Sequence, residues 1–220
     1  GCEAIMNFAV NDITGPVATI GASSNVSCFG VCDGTITVNV VGGSGIFQYN
    51  WSTTPAQTSA TATNLCAGNY SVTVNDLITG CIATTSATIT EPLALASLST
   101  VENTSCYNDC DGSIELTPYN GTPPYSFNWT GPGTIPNDED IYNLCHGDYT
   151  VAIIDDNGCI LTNDYTVDEP DFITIPTSST LTSCNGLCNG TATASPYGGT
   201  PPYTYLWSDN AQTTQTAVGL

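Results

Sequence analysis

The 220-residue sequence contains no lysine, no arginine and a single histidine, against 20 aspartates and glutamates. Each gap excludes a class of function. Without cationic side chains the chain cannot neutralise phosphates, so nucleic acid is not an expected partner. Attraction to anionic lipid needs the same side chains. No trypsin-type cleavage site exists, which suits exposure to extracellular proteases. One histidine leaves no paired imidazoles for acid–base or metal chemistry. No apolar run approaches the roughly 20 residues of a membrane-spanning helix. Nucleophile elbows and phosphate-binding loops are missing as well. The net charge of −20 favours solubility and mutual repulsion, and does not speak to fold.

The polar surface is built instead from Thr, Ser, Asn, Gly and Tyr. With 21 glycines and 13 prolines, disorder is one reading of such a composition. It fails here because 40% of the residues are hydrophobic and they recur with a fixed period. The length alone allows one to three domains. The opening "GCEAIMNF" carries no signal peptide and reads as a window cut from something longer.

Aligning the chain with itself reveals its organisation. Cys28, Cys106 and Cys184 open the elements "CFGVCDG", "CYNDCDG" and "CNGLCNG", and Trp51, Trp129 and Trp207 each follow 23 residues later. A Gly-rich turn precedes each Trp, spelled "GGSG", "NGTPP" and "GGTPP". Then come "LCAGNY" and "LCHGDY", a Gly-Cys pair at Cys81 and Cys159, and a closing "EP" at 91–92 and 169–170. Residues 1–13 fit the last strand of a preceding repeat, with Cys2 matching Cys81 and Asp12 matching Glu91. Whole repeats occupy 14–92 and 93–170, and 171–220 is an incomplete one.

Inside a repeat the apolar period is two, the strand signature. Ile36, Val38 and Val40 alternate with polar residues, as do Phe47, Tyr49 and Trp51, and Tyr70, Val72 and Val74. Phe8 and Val10, and Tyr165 and Val167, alternate likewise near the ends of their repeats. No stretch carries a helical stripe. A repeat of about 78 residues with some seven such strands predicts an all-β fold of tandem immunoglobulin-like, Greek-key sandwiches. Trp51, Trp129 and Trp207 are expected in the cores. Tyr70 and Tyr149, in L-x-x-G-x-Y spacing, are expected as tyrosine corners.

The eleven cysteines divide as one, four, four and two among the repeats, so the odd total does not signal a reactive thiol. That density points to an oxidising compartment. In immunoglobulin topology the C-x-x-x-C loop and the L-C-x-G-x-Y loop share one end, which predicts bridges Cys32–Cys66 and Cys110–Cys145. The Gly-Cys residue starts the last strand at the other end, beyond the roughly 7 Å limit for bridging Cys28 of its own repeat. Head-to-tail stacking makes an inter-repeat bridge Cys28–Cys159 the expectation. A four-thiolate zinc site competes poorly, because its ligands favour closer C-x-x-C pairs.

The carboxylates form no acid–base pair. Asp138, Glu139 and Asp140 sit in a loop whose counterpart has no acid. Asp155 and Asp156 cluster at a hairpin tip matched by Asp76, and make weak structural-calcium candidates, although no stretch follows the twelve-residue calcium loop. No other cofactor is expected. Asn25, Asn69 and Asn128 open N-x-[ST] triplets, which a Thr- and Ser-rich chain generates by chance.

Taken together, C-x-G-x-x-[DN]-G, G-G-T-P-P-Y-x-Y-x-W, L-x-x-G-x-Y and the closing E-P resemble SprB-type repeats, with "GGTPPYTYLW" at 198–207 and "GDYTVAIIDDNGC" at 147–159 the closest stretches. The first whole repeat departs from the pattern, since "GSGIFQYNW" lacks the double proline. The resemblance implies a very large surface adhesin of Bacteroidota, exported by type IX secretion and used in gliding motility. The expected function is a non-enzymatic, extracellular adhesin stalk whose partners are its neighbouring repeats. A repeat that itself binds surface polysaccharide or substratum, and a subunit of a self-associating fibre or sheath, are the alternatives.

Overall fold

The period-two segments become strands in the computed structural model, which describes residues 14–184, 186, 188–208 and 211–220. The strand expected within 1–13, with Cys2, Phe8, Val10 and Asp12, lies outside the described residues. No helix occurs among those described. The chain divides into two compact units.

The first unit comprises residues up to Ala96 together with Asn120–Pro123 and Asp155–Cys159. It contains β1 (Val17–Ser24), β2 (Gly34–Val41), β3 (Phe47–Trp51), β4 (Thr61–Leu65), β5 (Gly68–Asp76) and β6 (Ile82–Ile89). These form two antiparallel sheets, ordered β1-β2-β4 and β3-β5-β6. The chain crosses between sheets after β2, after β3 and again after β4, which is the immunoglobulin-like Greek-key path. Ile36, Val38, Ala62 and Leu65 from one sheet meet Trp51, Val72, Val74 and Ile89 from the other in a single buried cluster. Each such aliphatic burial contributes roughly 1.5–3 kcal/mol. In β2 the Thr and Asn residues between the apolar positions remain at least partly exposed, so one face of the sheet is wet.

The second unit repeats the plan with β7 (Ala96–Glu102), β8 (Gly112–Tyr119), β9 (Ser126–Thr130), β10 (Ile141–Leu144), β11 (Gly147–Ile154) and β12 (Ile160–Val167). Its sheets run β10-β8-β7 and β12-β11-β9. Trp129 lies opposite Val151, as Trp51 lies opposite Val72. The unit also holds β13 (Thr177–Thr180), β14 (Thr191–Ala194) and β15 (Thr216–Val218), paired in that order.

Each whole repeat therefore has six strands, not seven. The missing one is the strand between β3 and β4, and between β9 and β10. Those segments open "STTP" at 52–55 and "GPGTIP" at 131–136, rich in residues that lack a ladder donor or favour turns. The core indole holds this stretch instead. Trp51 Nε1 donates to Ser59 O at 2.8 Å and Trp129 Nε1 to Asp138 O at 2.9 Å. Trp207 makes the same bond to Thr214 O at 2.8 Å, but it is only half-buried. Among the described residues no strand pairs beside it as β5 pairs with β3 and β11 with β9.

Candidate functional site at the cysteine loops

Three recurrent structures surround the cysteines. The first is the C-x-x-x-C-[DN]-G loop, which the chain ties to itself. Asp33 accepts from Ser27 N at 2.9 Å and from Ser27 Oγ at 2.5 Å. Asp111 accepts from Ser105 N at 2.9 Å, and Asn189 Oδ1 from Ser183 N at 3.0 Å. The serine hydroxyl, followed by its N–H, holds the carboxyls of Asp33 and Asp111 below their ordinary range. The closing Glu of each repeat fastens the same loop across the chain: Glu91 Oε2 accepts from Gly30 N at 3.0 Å, and Glu169 Oε2 from Asn108 N at 2.8 Å.

The second structure is the pair of bridges at this end. Cys32 is bonded to Cys66 and Cys110 to Cys145, each with Cα atoms 3.9 Å apart. Beside each bridge a tyrosine hydroxyl turns back onto the chain. Tyr70 donates to Cys66 O at 3.0 Å and Tyr149 to Cys145 O at 2.8 Å. Burial raises the Tyr149 phenol, outweighing the bond to Cys145 O.

The third is a carboxylate knot at the hairpin tip between the last two strands of a repeat. Asp76 has no solvent exposure. It accepts from Ser44 N and Oγ, both at 2.6 Å, and from the N–H groups of Ile78 and Thr79 at 3.0 and 3.1 Å. The Ser44 hydroxyl is the main reason its carboxyl lies well below the usual range, against the opposing effect of burial. Asp155 repeats the knot, accepting from Thr122 N at 2.8 Å, Asn157 N at 3.0 Å and Cys159 N at 2.8 Å. The turn it grips requires two successive residues of left-handed φ, supplied by Gly42–Gly43 and Asn120–Gly121. A Cβ on Gly43 would fall 2.6 Å from Asp76 Oδ2, and one on Gly121 2.8 Å from Asp155 Oδ2. Glycine at 43 and at 121 is thus a steric requirement of the knot.

The hairpin tip at 155–159 belongs to the first unit, where Cys159 is bonded to Cys28 across a sequence separation of 131, with Cα atoms 5.6 Å apart. Ser27 O accepts from Asn157 Nδ2 at 3.4 Å, and the same amide donates to Thr122 Oγ1 at 2.9 Å. Asp156 N donates to Thr122 O at 2.8 Å. Among the described residues Cys81, Cys106, Cys184 and Cys188 carry free, exposed thiols.

Of the calcium candidates, Asp76 and Asp155 are the carboxylates of the two knots. The oxygens of Asp76 and Asp155 are occupied by N–H and O–H donors, which compete with a cation for the same lone pairs. Asp156 is exposed, and no group of three or more acidic, His or Cys side chains among the described residues is arranged to hold a metal. Asp140 from the acidic run accepts from Leu116 N at 2.9 Å. Asn25 Oδ1 accepts from Thr90 N and Asn69 Oδ1 from Thr88 Oγ1, whereas Asn128 is exposed. Sequence reasoning missed the roles of Asp33, Asp111, Glu91 and Glu169 as loop ties. Their exact recurrence was the available signal.

A model of the SprB repeat matches residues 20–55, 98–134 and 178–212. The chain carries three SprB repeats. Each match runs from within the first strand of a repeat through the cysteine loop to just past the core Trp, so Cys28, Cys32, Asp33 and Trp51 fall inside the first of them. The bridging partners Cys66, Cys145 and Cys159 and the knot carboxylates Asp76 and Asp155 lie outside the matched residues, whereas the turns those carboxylates grip, at Ser44 and Thr122, lie inside them. Among solved structures, the chain is similar to three N-terminal domains of the bacteriophage RB49 Highly Immunogenic Outer Capsid protein (Hoc), with 15% identity, a TM-score of 0.48, and coverage of 90% of this chain and 78% of that one. No curated protein matches.

Proposed function

We propose that these SprB repeats form part of the stalk of a large extracellular adhesin, whose task is to span distance and resist extension. The observation that carries this reading is the repetition of the same structural devices from one whole repeat to the next. Each whole repeat uses its recurring residues for the same loop ties, bridge, tyrosine corner and knot. The Cys28–Cys159 bond then joins the cysteine loop of one repeat to the hairpin tip of the next. Domains of this size bury too little apolar surface to be very stable alone, and covalent staples offset that deficit. Disulfides fit an oxidising, extracellular setting. The SprB family likeness supports cell-surface adhesion, and gliding motility driven from the outer membrane of a Bacteroidota cell is the finer reading. The stalk has no enzymatic part, and its partners are its own neighbouring repeats.

Single-molecule pulling between the two chain ends tests the reading. The oxidised chain is expected to resist extension and to lengthen sharply on adding reductant. Equal extension with and without reductant would overturn it. Saturable retention on surface polysaccharide would favour a binding module instead, and concentration-dependent polymers in sedimentation a fibre subunit.

A further inference from the structure

We infer that the loop around Cys106 is a receptor for the Gly-Cys hairpin tip of a further SprB repeat, which it captures as a disulfide. This deepens the stalk reading and rests on it. Two independent observations carry the assignment.

The first is the occupied site of the same S-C-x-x-x-C-D-G motif in the same protein. At "SC" 27–28 three pieces meet: the loop itself, the Gly-Thr-Pro turn at 121–123 and the tip at 155–159. Ser27 O receives Asn157, Thr122 Oγ1 receives the same amide, and Cys159 completes the join to Cys28. The second is the state of the corresponding site at "SC" 105–106. There the equivalent turn is already seated, with Thr200 Oγ1 donating to Ser105 O at 3.1 Å. Tyr107 meets Phe172 edge to face at 5.5 Å between centroids. Beside them a cavity of about 280 Å³ opens, lined by Ser105, Cys106, Tyr107, Phe172, Thr200 and Tyr203 among others. Two of the three pieces are in place and the thiol is free. The missing piece is a tip of the form Asp-x-x-Gly-Cys, in which the Asp knot presents the cysteine and a side-chain amide reaches the Ser carbonyl.

Closing the bond removes two electrons and two protons from the two thiols. An external protein or small-molecule disulfide accepts them by thiol–disulfide exchange and leaves as two thiols.

The test uses the whole chain and a synthetic peptide of residues 148–166, its Cys159 activated as the mixed disulfide with 5-thio-2-nitrobenzoate. The Cys106 thiolate attacks the peptide sulfur, and the released thionitrobenzoate dianion carries away the electron pair and is read by absorbance. Chymotryptic mapping without reduction locates the captured peptide. Oriented docking is expected to speed capture at Cys106 by about tenfold or more over a scrambled peptide with the same cysteine. Cys81 and Cys188, which lie outside such a receptor, are expected to show no such preference. Changing the peptide residue equivalent to Asn157 to Ala, or Thr200→Ala in the chain, is expected to reduce the advantage. Equal rates for both peptides at Cys106, or the same preference at Cys188, would overturn the receptor. The Cys28–Cys159 bond is scored in the same map: its presence with no selective capture refutes the receptor alone, whereas its absence refutes the stalk reading too.

Discussion

Asp76 is fully buried in a protein that has no Lys or Arg to pair with it. A buried carboxylate must nonetheless be satisfied, and here backbone amides and one serine hydroxyl take the place of a cation. That substitution makes the fold sensitive to acid in a defined direction. The folded-state pKa of Asp76, like those of Asp33 and Asp111, is depressed. Its stabilising contribution is therefore complete above the unfolded carboxyl value of about 3.9 and is lost as pH falls below it towards the folded value. The thermal midpoint is expected to be level from neutral pH to about pH 5 and to drop steeply below about pH 4. Asp76→Asn should lower the midpoint at pH 7 and flatten that acid limb, as followed by circular dichroism in buffers of falling pH. An unchanged acid limb in the variant would show that the knot does not govern it. Tyr149 gives a separate test at this scale. Tyr149→Phe deletes the bond to Cys145 O while keeping the ring in the core, and should cost about 1 kcal/mol in urea unfolding.

Among the elements, the strands were the legible part of the sequence because each sheet has one wet face, and alternation such as Ile36, Thr37, Val38 records that directly. Trp51 and Trp129 announced the core by recurring on the aromatic strand. Trp207 shows the limit of that argument. The same word in the sequence gives a half-buried ring, because burial needs the flanking strands of its own sheet as well as the residue itself, and among the described residues no strand pairs beside Trp207. The extra strand expected before β4 and β10 failed for a related reason: polar, Pro-interrupted stretches can be held by an indole N–H without any ladder. The loop ties were illegible one at a time, since a lone Asp or Glu in a loop ordinarily reads as solvated. Only comparison of Asp33 with Asp111, or Glu91 with Glu169, separates a tie from a surface charge. At this scale the bridge beside β10 and β11 sets the next expectation. Cys110 and Cys145 are 35 positions apart, and closing a loop of that length restricts the unfolded chain by about 3–4 kcal/mol on the chain-entropy model. The double substitution Cys110→Ser with Cys145→Ser should lose about that much in guanidinium unfolding, and adding reductant to the variant should change little further in that repeat.

For the whole molecule, the order of the bonds along the chain decides how it responds to load. Cys28–Cys159 encloses both of the shorter bridges, so while it is intact none of the chain between those residues bears the pulling force. Its sequence separation of 131 residues corresponds to about 460 Å of extended chain at about 3.5 Å per residue. Full reduction is therefore expected to lengthen the stretched protein by about that amount. Cys28→Ser under oxidising conditions separates the contributions. It should release only the chain outside the inner bridges, because Cys32–Cys66 and Cys110–Cys145, with separations of 34 and 35 residues, still hold back about 240 Å. Adding reductant to this variant should then recover that remaining length in two nearly equal steps, as each inner bridge opens under force. Force–extension traces distinguish this nested arrangement from three independent staples. If Cys28→Ser extended no further than the oxidised wild type, the long bond would not be carrying the load, and the case for a stalk whose repeats are covalently locked in series would fail with it.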